Sequence, residues 1–224
     1  MISEIKFSQH DWGFESALII QKEVENIIQK KNICNIFLTG GTAAEILYNE
    51  WAEITDFIKT RNLVFYFGDE RCVSPDDINS NYRMTLKSLF KYGFPINSKI
   101  YRMKGEASNT TLAAREYELL IPEKIDILLL GIGIDGHIAS IFPDSEKLFV
   151  GRPDLVLPVN TNKFPEKRLT ITPRVVKRAK RTYILAFGND KYSVLNNIRN
   201  NSSISKKYPV RLVSDSIWLT TKNV

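Results

Sequence analysis

The chain is poor in the residues that usually announce chemistry: it has two cysteines and two histidines in 224 residues. Cys34 and Cys72 cannot make a disulfide framework, and no Cys/His spacing of the metal-binding type occurs. The expectation is therefore no metal. No apolar run approaches the roughly 20 residues needed to span a bilayer, and the segment starting at Met1 lacks the apolar core of a secretory leader. The reading is a cytoplasmic protein without membrane contact. Internal repeats, low-complexity tracts and Pro/Gly/Ser-rich linkers are also missing, which leaves one domain over residues 1–224.

What is present is an ordinary globular composition, 43% hydrophobic and 25% charged. The net charge of +6 is read first as a solvated surface and second as a positive cleft for a small anionic substrate. Nucleic acid ranks third. Lys177-Arg178-Ala179-Lys180-Arg181 and Lys206-Lys207 are basic, but no aromatic residues interleave to stack on bases.

Helical spacing of Phe14, Ala17, Leu18, Val24, Ile27 and Ile28 predicts a helix over 11–30. Strands are predicted at Asn35–Thr39, Leu63–Phe67, Ile125–Leu130 and Thr182–Phe187, and Val210–Val213 reads as a short last strand. Helices are predicted from Thr42 to about Ile58, from a Ser80 cap to about Tyr92, over 109–120, after Thr172-Pro173 and from about Asp190. Strands alternating with helices mean an α/β fold with a mostly parallel, Rossmann-like sheet covered on both faces. Four strands end in Gly40-Gly41, Gly68-Asp69-Glu70-Arg71, Gly131-Ile132-Gly133 and Gly188-Asn189-Asp190. Those ends should line the carboxyl edge of one sheet, where such folds bind ligands.

His137 is the most useful acid–base group at that edge, since imidazole moves protons near neutral pH. Its competing reading is a core histidine, weakened by the flanking glycines. Asp135 either orients the ring or a bound water, or closes the turn. Gly40-Gly41-Thr42 joins a strand to a helix, where exposed N–H groups favour an anion. It is not a Walker loop. Asp69, Glu70 and Arg71 can orient a sugar hydroxyl or bind an anion, or can cap a helix. Arg168 and Lys191 are candidate phosphate partners. Gly131-Ile132-Gly133-Ile134-Asp135-Gly136 formally matches a dinucleotide fingerprint, but Pro143 comes seven residues after Gly136, too soon for the long helix required. A Cys72 thiol nucleophile would need His137 close by, and nothing catalytic is expected of His10.

Together these segments resemble the 6-phosphogluconolactonase family. The likeness rests on Gly40-Gly41-Thr42, on Gly68-Asp69-Glu70-Arg71 with Ser80-Asn81-Tyr82, and on Asp135-Gly136-His137-Ile138-Ala139-Ser140-Ile141-Phe142-Pro143. Arg168-Leu169-Thr170-Ile171-Thr172 and Gly188 with Lys191 follow in the family's order. Departures are Ala43-Ala44 where the family tends to Thr-Pro, Ile138 where threonine is common, and a proline-poor stretch before Arg168. The resemblance implies a three-layer α/β/α fold. It also implies hydrolysis of 6-phospho-D-glucono-1,5-lactone without metal or organic cofactor. His137 would be the general base, Asp69 and Arg71 would join it in the reaction, and Gly40, Gly41, Thr42, Asp135, Arg168 and Lys191 would contact substrate. The implied partner is the phosphosugar lactone alone, with the protein a monomer or weak homo-oligomer. One rival is a hexosamine 6-phosphate isomerase or deaminase, whose Asp-Gly-His motif continues differently. Another is a sugar-phosphate sensor without turnover.

Overall fold

Apolar side chains alternate along the strands and sort into two cores, one on each face of the main sheet. On Ile125–Gly131, Ile127 and Leu129 enter one core while Leu128 and Leu130 enter the other. The same division holds for Phe65 against Tyr66 and for Leu185 against Ile184. Two-sided burial is what long apolar runs in parallel strands require. The computed structural model describes residues 3–143, 145, 148–213 and 215–222.

In chain order the elements are β1 (Ser3–Phe7), α1 (Trp12–Lys31), β2 (Cys34–Leu38), α2 (Thr42–Glu53), α3 (Thr55–Lys59), β3 (Leu63–Phe67), β4 (Asp69–Arg71), α4 (Asn81–Ser88), β5 (Lys99–Ile100), α5 (Thr110–Glu118), β6 (Ile125–Gly131), β7 (Val156–Asn160), β8 (Lys167–Ile171), α6 (Pro173–Val176), β9 (Ala179–Ala186), α7 (Tyr192–Arg199) and β10 (Ile217–Thr221). Seven parallel strands form the central sheet in the order β1-β10-β9-β6-β2-β3-β5. The α/β/α reading with a mostly parallel sheet holds: α1 and α2 bury Trp12, Ile20, Leu47 and Trp51 on one face, and α5, α6 and α7 bury Tyr117, Val175 and Leu195 on the other. From β2 the chain proceeds to β3 on one side, and from β6 it proceeds to β9 on the other. The crevice between β2 and β6 is therefore the topological switch point, the place where open α/β sheets take ligands.

Two buried tyrosines fix strand ends at this edge. Tyr48 of α2 accepts from Thr39 N at 2.9 Å and donates to Thr39 O at 3.0 Å. Tyr117 of α5 does the same for Phe67, at 2.7 and 3.2 Å. Each hydroxyl satisfies both backbone groups of a residue leaving the sheet, so the loops beyond start from fixed positions.

Several sequence expectations need correction. The helix expected over 42–58 is broken at Ile54, whose backbone is extended; the break lets Phe57 turn inward onto Trp51, ring centroids 5.1 Å apart. Val210–Val213 is not a strand but part of a 3-10 turn over Pro209–Val213, held where Val210 N donates to Gly136 O at 3.1 Å. The last strand is β10. The edge strand β1 and a separate antiparallel sheet, β4-β8-β7, were not anticipated. Thr172 holds the N-cap position of α6 with Pro173 after it, as expected, but its hydroxyl makes no cap bond and donates to Asp154 O at 2.9 Å. Among the described residues no helix is long and apolar enough to cross a membrane.

Candidate active site

A cleft of about 420 Å³ opens at the carboxyl edge of the sheet, over the β2/β6 switch point. Gly40, Gly41, Thr42, Asp69, Arg71, His137, Arg168 and Lys191 all line it. Of the catalytic and substrate-contacting residues that the resemblance implies, only Asp135 lies off its wall; it stands behind His137 and pairs with the ring.

The floor comes from β2 and β6, joined where Gly131 N donates to Thr39 Oγ1 at 3.3 Å. Gly41 has a φ of +92° and open space where a side chain would be. No side chain caps α2 after it, so its first N–H groups are left for a ligand. A Cβ on Gly40 would run into the amide of Asn81. That amide donates to Asp69 O at 2.9 Å and to Asp69 Oδ1 at 3.3 Å, while Ser140 Oγ donates to Oδ2 at 2.6 Å. Asp69 is thus 5% exposed yet hydrogen-bonded on both oxygens. It has no described contact with His137.

The strand period of two explains the rest of the Gly-Asp-Glu-Arg segment. Asp69 and Arg71 point one way along β4, and Glu70 points the other. Glu70 Oε1 accepts from Arg71 N at 2.8 Å and Asn81 N at 2.7 Å, and Oε2 accepts from Tyr82 N at 2.8 Å and Ser80 Oγ at 3.1 Å. Helix capping, the plainer alternative for this motif, is therefore the role of Glu70, though in the interior and not on the surface. Burial pushes its carboxyl up, and the three backbone N–H donors oppose the shift.

Arg71 donates from Nη1 to Asn79 O at 2.6 Å, while its buried Nε has no partner among the described residues. Arg168 donates from Nε to Pro165 O at 3.1 Å. The two are register partners across β4 and β8, and directly opposed like charges are destabilising. Burial lowers the Arg168 pKa and the Arg71 charge lowers it further, with Asp69 acting against both. Lys191 Nζ is 2.8 Å from Asp190 Oδ2.

His137 sits on a turn that needs glycine at two positions, 133 and 136. Gly133 N donates to His137 O at 3.0 Å, and a Cβ on Gly133 would overlap the imidazole. Gly136 has a φ of +78° and lies against the Tyr208 ring. The imidazole stacks on Phe142, centroids 4.5 Å apart, and its Nδ1 is 2.5 Å from Asp135 Oδ1. Burial works against the charged form of Asp135, but the hydrogen bonds from His137 and Lys163 outweigh it and hold the carboxyl well below the usual carboxylate range. An ionised carboxylate only accepts, so Nδ1 carries a proton, and in the neutral ring the lone pair is on Nε2.

The dinucleotide fingerprint is not realised, because no helix follows Gly131–Gly136. Cys72 packs at the margin of a core with its thiol pushed up by burial, away from the cleft wall. His10 is exposed in the turn before α1. Sequence reasoning missed Asn81, Ser140, Phe142 and Lys163 as site residues. The first three lie inside segments already singled out. Lys163 opens the proline-poor stretch before Arg168, in the β7–β8 loop, but no spacing links it to His137, 26 positions away.

The family model described as glucosamine-6-phosphate isomerases/6-phosphogluconolactonase matches residues 14–220. The chain belongs to that family. Among the relatives, the 6-phosphogluconolactonase of Treponema pallidum (strain Nichols) is 30% identical over 199 residues, 84% of this chain and 82% of the relative. That of Haemophilus influenzae is 33% identical over 189 residues, 78% and 77% of the two chains. In fold, the chain is similar to the 6-phosphogluconolactonase of Thermotoga maritima, with a TM-score of 0.86 at 23% identity over 99% of this chain and 100% of the other. A monomeric glucosamine-6-phosphate deaminase is similar with a TM-score of 0.81 at 24% identity over 99% and 98%. The same fold thus carries two differently named activities, so the choice between them rests on the site.

Proposed function

We propose that the chain hydrolyses 6-phospho-D-glucono-1,5-lactone to 6-phospho-D-gluconate, a step of the oxidative pentose phosphate pathway, with His137 as the general base. The observation that carries this reading is the pairing of Asp135 with His137 Nδ1, which makes Nε2 the ring nitrogen available as a base, in a cleft lined by cationic groups. Membership of the family and relatives named 6-phosphogluconolactonase support the substrate.

Water positioned at Nε2 loses its proton as it attacks the lactone carbonyl, help of a kind that contributes about 10²–10⁴-fold. The carbonyl oxygen becomes an oxyanion, and the Arg71 guanidinium on the cleft wall is the donor best suited to it. His137 then returns the proton to the ring oxygen as the C–O bond breaks, leaving a carboxylic acid that ionises. Gly40, Gly41 and Thr42 at the bare start of α2, with Arg168 and Lys191, hold the phosphate, so binding energy remote from the carbonyl positions the reacting atoms. Asp69, held by Ser140 and Asn81, accepts from sugar hydroxyls and does not orient His137.

The test is acid release from freshly generated 6-phosphogluconolactone by wild type, by His137→Ala and without protein. The expected result is acceleration over spontaneous opening that falls by about two orders of magnitude or more in the variant. A folded wild type that gives no acceleration but turns over glucosamine 6-phosphate would establish the isomerase or deaminase reading. Binding without either turnover would leave a sensor.

A further inference from the structure

Lys163 lies in the β7–β8 loop, yet its ammonium reaches the centre of the site. Nζ is 2.7 Å from Asp135 Oδ2, 3.4 Å from His137 Nδ1 and 5.1 Å from the centre of the Phe142 ring. The Asp135 carboxylate is therefore divided, one oxygen to the imidazole and one to the ammonium. The loop is tied on both sides of this residue. Lys163 N donates to Thr161 Oγ1 at 3.1 Å, whose hydroxyl donates back to Lys163 O at 3.0 Å, and Arg168 Nε holds Pro165 O at 3.1 Å.

We propose that Lys163 is a positioning residue that fixes Asp135 against His137 Nδ1 and disfavours a second proton on the ring, so that Nε2 remains a free base at neutral pH. This rests on the reading of His137 as the general base.

Two effects of Lys163 have the same sign. A positive charge beside Nδ1 makes the imidazolium more costly. By occupying one oxygen of Asp135, Lys163 also weakens the stabilisation that the carboxylate offers an imidazolium. Without it, His137 would hold its second proton to higher pH and lose general-base capacity at neutrality. The other charged groups facing this region are Asp69 and Arg71 on β4, Arg168 on β8, and Asp190 and Lys191 beyond β9. All of them remain in a Lys163 variant. Tyr208 packs beneath the turn at Gly136.

With two histidines in the chain, NMR titration of the imidazole Cε1–H resonances gives two curves, assigned with His137→Ala. Lys163→Met is expected to raise the His137 midpoint by about half to one pH unit and leave His10 unmoved, whereas Lys163→Arg holds both. In the lactonase assay the acid limb of kcat/KM should move up with the NMR midpoint, lowering kcat/KM at pH 7 by about threefold while KM stays near its original value. Lys163→Gln replaces the methionine variant if the latter does not fold. An unmoved or lowered His137 midpoint in the neutral variants overturns the proposal. So does a loss of activity uniform across pH, which is what a merely structural role predicts. Were wild type inactive on the lactone, the hydrolytic reading would fail by itself, and the NMR midpoints would still decide the role of Lys163.

Discussion

Two helices begin beside the cleft, and their first turns are finished in opposite ways. At α4 the protein satisfies the orphan N–H groups itself: Ser80 Oγ accepts from Arg83 N, and the Glu70 carboxylate collects Asn81 N and Tyr82 N. At α2 the chain enters through Gly41 and no side chain caps the helix. Both ends present the same chemistry, unsatisfied donors and a positive dipole end. One is closed and serves as a strut under Asn81, which in turn holds Asp69. The other stays open to the cleft. The difference also separates two adjacent carboxylates. Glu70 belongs to the architecture of α4 and Asp69 to the wall of the cleft, because one strand residue reverses the direction of a side chain.

The sharpest way to break this comparison is to remove the closed cap. Glu70→Ala leaves buried helix N–H groups and the Ser80 hydroxyl short of a partner, and should cost about 2–4 kcal/mol in thermal or denaturant unfolding. A loss below about 0.5 kcal/mol would mean that water replaces the carboxylate and that α4 is no strut. Next in size, Thr42→Glu places a carboxylate on the open end of α2. It should raise KM for the lactone by about tenfold or more, roughly 1.4 kcal/mol, while stability stays level or gains about 0.3–1 kcal/mol from the helix dipole. Unchanged KM would show that the bare helix start is not where the substrate's anion sits.

Ser80→Ala should cost about 1 kcal/mol in the same unfolding experiments, with kinetics near wild type; altered KM would show that the strut is coupled to binding. The smallest effect concerns acid. The folded pKa of Asp135 is depressed, so its contribution to stability is present above the unfolded value of about 4 and is lost as pH falls through and below that value. Asp135→Asn should therefore be the less stable protein near neutrality and converge on wild type in acid, as followed by unfolding at several pH values. A constant gap would assign the loss to packing.

Much of this was legible in the sequence because apolar runs and glycines occur where the chain must be buried or must turn sharply. The strands β2, β3, β6 and β9 and the loops beyond them carry nearly all of the cleft, and each was marked by an apolar run ending in glycine. What could not be read was non-local. β1, Ser-Glu-Ile-Lys-Phe, is an edge strand with no fully buried residue, so its strand character comes from pairing with β10 at the other end of the chain. Val210–Val213 has strand-forming residues but is held as a 3-10 turn by Gly136, since β propensity yields to tertiary contact. Lys163 shows the same limit in the site. No spacing joins it to His137, and only the antiparallel pairing of β7 with β8 brings it there.

The opposed Arg71 and Arg168 make the molecule's stability depend on what is dissolved around it. Any anion that binds the folded cleft and not the unfolded chain adds RT ln(1 + [L]/Kd), about 2.7 kcal/mol at a hundredfold excess over Kd. If phosphate is such an anion, a melting temperature recorded in phosphate buffer is a property of protein and buffer together. In the cell the same mass action would tie the persistence of the folded enzyme to the level of its sugar phosphates.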